Sequence, residues 1–89
     1  MTEGYFETAE GLHVFYDSKT GVKIIIDNAL NEGTVSYVPE NEYYTKSLLE
    51  EDTAAIIEFM KVPGTGLGML LIKLGRAFER AVTGGSSAT

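Results

Sequence analysis

The apolar positions of this chain change period once, near residue 40. Before that point they come in short runs or alternate with polar residues, the spacing of two that marks strands. Tyr5-Phe6-Glu7-Thr8 predicts a short strand and Ala9-Glu10-Gly11 a turn. Residues 12–16 (LHVFY) are rich in strand-favouring side chains. Residues 17–21 then read as a hairpin loop, with Gly21 free to take the positive φ that closes it. Residues 22–26 (VKIII) carry three consecutive isoleucines and give the strongest strand pattern in the chain. Residues 28–33 make a second loop, and residues 34–38 (TVSYV) alternate as a half-buried strand does. Pro39 ends that strand because proline has no N–H to give to a ladder.

After a polar connection over residues 40–46, the spacing lengthens to that of a helix. Ser47-Leu48-Leu49-Glu50 has the spacing of a capping box, and Glu51 and Asp52 add negative charge where the dipole of a first turn favours it. Leu48, Leu49, Ala55, Ile56, Phe59 and Met60 then share one predicted face, Lys61 sits at the C-terminal end, and Pro63-Gly64 stops the helix. A second helix is predicted from near Gly66 to about Val82. Its stripe is Leu67, Leu70, Leu71, Leu74, Phe78 and Ala81, with Lys73, Arg76 and Arg80 opposite. Met69, Ile72 and Val82 widen the apolar arc and leave surface for a partner or a second copy of the chain. Residues 84–89 (GGSSAT) read as a flexible tail. The pattern predicts one α+β domain over residues 1–83: a three- to four-stranded antiparallel sheet over residues 4–39, followed by a C-terminal helical hairpin.

Eighty-nine residues hold one thin core. With 44% hydrophobic and 22% charged residues the composition is that of a globular domain. The absence of cysteine excludes disulfides and thiolate metal sites. The N-terminal residues lack a basic and an apolar segment, and no apolar run approaches a membrane span, so a cytoplasmic protein without membrane contact is expected. Charge sharpens this picture. Residues 1–58 hold twelve acids against three bases, a net of −9, whereas residues 59–89 hold one acid and four bases, a net of +3. Direct nucleic-acid binding requires clustered Lys and Arg, which the acidic body lacks. A protein partner with a basic surface suits it better.

Val62-Pro63-Gly64-Thr65-Gly66-Leu67-Gly68, followed at once by an apolar helix, is the one motif with a chemical reading. A P-loop needs Lys-Ser or Lys-Thr after its last glycine, where Met69-Leu70 stands, and a dinucleotide fingerprint needs G-x-G-x-x-G rather than G-x-G-x-G. An αα-hairpin fits the residues directly. Pro63-Gly64 ends one helix, Thr65 caps the next, and Gly66 and Gly68 allow a close approach to the sheet or the preceding helix. Residues 56–81 also resemble, in part, the acetyl-CoA loop and helix of GNAT-type N-acetyltransferases. That resemblance implies Gly64, Gly66 and Gly68 as cofactor-binding loop glycines, with Leu70, Leu71 and Ala77 on the packed face of the following helix. It requires residues 54–60 to be a strand, and the sequence departs from the family at Pro63, where an Arg or Gln belongs.

The remaining chemistry is sparse. His13 is the lone histidine, expected at solvent or at the sheet edge, and without a second His or any Cys it is no metal nucleus. No catalytic, cofactor or metal residues are therefore expected in the main reading. Tyr5, Tyr16 and Tyr37 suit cross-strand packing. Tyr43 and Tyr44 differ, lying in a polar stretch among acids. The expected function is that of a small acidic, non-catalytic protein-binding domain, an inhibitor of a basic or nucleic-acid-handling protein of the phage or plasmid type. Glu40, Glu42, Glu50, Glu51 and Asp52 would supply the field, and Tyr43 and Tyr44 the anchors. Two alternatives stand beside it: an acetyl-CoA-binding GNAT-like protein, and a homo-oligomeric subunit, such as a dimer, assembled through the last helix.

Overall fold

The computed structural model describes residues 4–27, 29, 32–36 and 43–83. Four strands, β1 (Gly4–Glu7), β2 (Leu12–Tyr16), β3 (Lys23–Asp27) and β4 (Glu32–Val35), form one antiparallel meander in chain order. Two helices follow, α1 (Lys46–Met60) and α2 (Leu67–Thr83). The fold is α+β, as the change of period predicts. β4 begins two residues before the strand expected at 34–38, inside the expected loop, and ends at Val35, while residues 37–42, Pro39 among them, and the tail at 84–89 lie outside the described residues.

Register decides which side chains meet the helices. Tyr5, Phe15, Ile24 and Val35 stand opposite one another across the four strands, and Glu7, His13, Ile26 and Gly33 make the next row on that face. Phe15, Ile24 and Ile26 join Val22 and Tyr44 with Leu49 of α1 and Leu70, Leu74, Ala77 and Ala81 of α2 in a single core. The Phe15 and Phe78 rings pack 5.8 Å apart, centre to centre. The other face carries Phe6, Leu12, Val14, Tyr16 and Ile25, with Phe6, Val14 and Ile25 aligned across three strands. The β2–β3 hairpin closes as expected. Gly21 has φ 78°, its N–H donates to Asp17 O at 2.8 Å, and Asp17 Oδ2 accepts from Thr20 N at 2.9 Å and Thr20 Oγ1 at 2.7 Å. These bonds from Thr20 hold the Asp17 carboxyl below its ordinary pKa.

Helix α1 differs from the sequence pattern in phase, whereas α2 keeps the expected stripe except at Leu67. The cap of α1 is Thr45, not Ser47: Thr45 Oγ1 accepts from Leu48 N at 3.3 Å. The helix therefore starts before the expected capping box, and Glu51 and Asp52 lie beyond its first turn. The buried face of α1 is Leu49 and Thr53, with Ile56, Ile57 and Met60 packed beside them. Leu48 and Phe59, which the sequence assigns to that face, are exposed. On α2, Leu67 is exposed while Ala77 is buried.

Thr65 does not cap α2. Its hydroxyl lies 2.9 Å from Met60 O and 2.8 Å from Val62 O, so it serves carbonyls at the end of α1 instead. Gly64 has φ 97° and turns the chain. Gly66 and Gly68 face open space, so the close approach expected there is absent.

Close approach occurs at Gly33. A Cβ there would stand 2.4 Å from Ile26 Cδ1, 2.7 Å from Ile57 Cδ1 and 3.3 Å from Thr53 Cγ2. Glycine lets α1 lie directly on β4. Gly33→Ala is expected to destabilise the fold by about 1–3 kcal/mol through overpacking, read as a lower midpoint in urea. An unchanged midpoint would show that Ile26 and Ile57 give way without cost.

Candidate protein-binding surface

The expected site residues separate into three groups. Glu40 and Glu42 lie outside the described residues. Glu50, Glu51 and Tyr43 are exposed, Tyr43 at 70%. Tyr44 and Asp52 are built into the structure. Tyr44 is only 7% exposed and belongs to the core, its hydroxyl donating to Asp52 Oδ2. It is thus a packing residue, because the turn into α1 points its ring inward.

Asp52 joins three parts of the chain. Besides Tyr44, Oδ2 accepts from the Arg80 guanidinium at 3.0 Å, and that guanidinium also lies 5.8 Å from the centre of the Tyr44 ring. The segment before α1, α1 itself and the last turns of α2 are tied at one carboxylate. Sequence reading does not reach Arg80, which stands 28 positions from Asp52 and looks like any solvated base on an amphipathic helix. Burial, reinforced by the bond to Asp52, pushes the Tyr44 hydroxyl up to about 12. The neutral phenol is favoured in the folded state, so this group's contribution is complete below pH 10 and is lost as pH rises towards about 12. Ultraviolet titration of the folded protein should show a late tyrosine ionisation towards pH 12, and Tyr44→Phe should remove that step. If the late step persists in the variant, Tyr44 is not its source.

His13 is buried at 4% exposure rather than solvent-facing. Its Nδ1 lies 2.7 Å from Tyr5 Oη, and the two rings stack with centres 5.9 Å apart. Their places in the β1–β2 register put both on the helix-facing side of the sheet. Among the described residues no group of three or more His, Asp or Glu is placed to hold a metal. No described helix is long and apolar enough to cross a membrane.

The exposed acids do not stand alone. A cleft of about 500 Å³ opens between β4 and one face of α1. All four residues of β4, Glu32, Gly33, Thr34 and Val35, line one wall. Glu50, Thr53, Ala54, Ile57 and Glu58 line the other, at the spacing of a single helical face. Glu58 pairs with Lys61 at 3.0 Å on the open surface, while Glu32 and Glu50 have no basic partner among the described residues. The Thr53 hydroxyl is buried without a hydrogen-bond partner there, which costs about 1–3 kcal/mol. The sequence indicates Glu50 but neither Glu32 nor Glu58, because only the β4–α1 contact brings them together.

Residues 54–60, which the acetyltransferase resemblance needs as a strand, lie within α1. Gly64, Gly66 and Gly68 occupy the turn between helices and the start of α2. A second exposed feature surrounds that turn: Phe59, Val62, Leu67, Met69 and Ile72 all show apolar surface, with Lys73 Nζ 4.8 Å above the Phe59 ring. Comparisons with protein-family models, curated proteins and solved structures find no match to this chain.

Proposed function

We propose that this protein is a small acidic binding domain that inhibits a basic or nucleic-acid-handling protein by presenting carboxylates where a phosphate backbone would lie. The observation that carries the reading is the acidic surface of Glu50 and Glu51 on α1, continued by Glu32 across the cleft, with no basic partner for these three among the described residues. Carboxylates held on a rigid helix steer a basic partner and fix its orientation, while Tyr43 offers an exposed amphipathic ring close by. Asp52 contributes through the position of α1 rather than by direct contact. The link to phage- or plasmid-type inhibitors is one of size and charge.

The test uses a partner captured from cell extract at low salt and then purified. Its affinity should fall as salt rises, and a Glu50→Lys, Glu51→Lys variant should bind about tenfold more weakly or worse, with a flatter salt dependence. Equal affinity for the variant would remove this surface from the interface.

Self-association through α2 is a second reading, favoured by the apolar surface of Leu67, Met69 and Ile72. Sedimentation equilibrium should then give a dimer mass that Ile72→Lys reduces to the monomer. A monomer at every concentration of the unsubstituted protein would end this reading.

A further inference from the structure

Among the described residues, the fourth strand is an edge of the sheet with an unused row of backbone groups. Ser36 N donates to Lys23 O at 3.0 Å, which fixes the phase of the β3–β4 ladder. Bonded and non-bonded pairs alternate along antiparallel strands. Val35 stands opposite Ile24 and Gly33 opposite Ile26, so the N–H and C=O groups of Val35 and Gly33 point away from β3. They point to the side where the cleft opens, and no described backbone group bonds them there. The cleft therefore has a strand edge along one wall and a helix face along the other.

We propose that this cleft receives an extended basic segment of the protein partner, which adds to the sheet as a fifth strand beside β4. The proposal rests on the protein-binding reading above and names how that binding is made. Main-chain bonds to Gly33 and Val35 supply register, and side chains supply selection. In an antiparallel pairing, the residues bonded to Gly33 and Val35 place their side chains on the helix-facing side of the sheet, against Ala54 and Ile57. Those positions suit apolar residues. The alternate positions fall on the side of Glu32 and Thr34, where a lysine or arginine meets the Glu32 carboxylate, which has no basic partner among the described residues. Glu50, likewise without a basic partner among the described residues, adds to the negative field of the cleft at longer range. Charge complementarity and strand alternation thus select one occupant: a short segment in which Lys or Arg alternates with apolar residues.

The probe is acetyl-Lys-Val-Lys-Val-Lys-amide, titrated into the intact protein and followed by amide NMR and hydrogen exchange. Binding is expected in the range of about 0.1–1 mM, with exchange at Gly33 and Val35 slowed about tenfold at saturation. The Glu-Val-Glu-Val-Glu peptide and a probe N-methylated at both valines should each bind at least about tenfold more weakly. No slowing at Gly33 and Val35 with about 5 mM probe, or equal binding of the N-methylated peptide, overturns the proposal. The unsubstituted protein is used throughout, so a folding defect cannot imitate either result. Should the Glu50→Lys, Glu51→Lys variant lose the partner while the partner leaves both amides unprotected, the strand proposal fails and the protein-binding reading stands. If the probe pairs with β4 and the variant keeps its partner, the electrostatic reading fails instead.

Discussion

The approach of α1 to β4 at Gly33 is the constraint on which the rest of this structure depends. A helix and an edge strand are held so near each other that an added methyl group would overlap two isoleucines. Because the core is thin, this contact has consequences at a distance. It fixes which face of α1 is buried, and so leaves Glu50 and Glu51 outside and Asp52 turned towards Tyr44 and Arg80. The acidic surface and the cleft are both products of this packing. They would not survive a rotation of α1 about its own axis.

Asp52 acts on the same geometry from the other end. Asp52 accepts both from a buried phenol and from a half-exposed guanidinium, so one carboxylate makes two charge-assisted hydrogen bonds. It joins the two helices near the C-terminal end of α2, while Thr65 and Gly64 join them at the turn. The helical hairpin is thus fixed at both ends by polar contacts and along its length by Leu49, Leu70 and Leu74. Formal charge overstates the free acidity of such a chain, since Asp52 is paired with Arg80 and Glu58 with Lys61.

The strand meander and the two helices were legible in the sequence because their signals are local: a period of two, a turn glycine, a proline, a period of 3.6. The phase of α1 was not. Ser47 and Thr45 are both able to cap, and the choice between them depends on where Leu49 must sit in the core. His13 alternates like a solvent-facing residue, yet Tyr5 covers it from the neighbouring strand. Tyr43 and Tyr44 look equivalent in sequence and have opposite fates, because adjacent residues entering a helix point in different directions. The cleft joins residues 32–35 to residues 50–58, a contact no local pattern encodes.

The open edge of β4 also bears on how this protein behaves among its own copies. An unpaired strand edge is a template for its own kind, and a sheet that leaves one exposed invites chains to stack. Here a glutamate opens the strand and another faces it from α1. Two such edges brought together would set carboxylate against carboxylate. Like charge thereby acts as a guard against edge-to-edge stacking, strongest at low salt and relaxed when salt screens it.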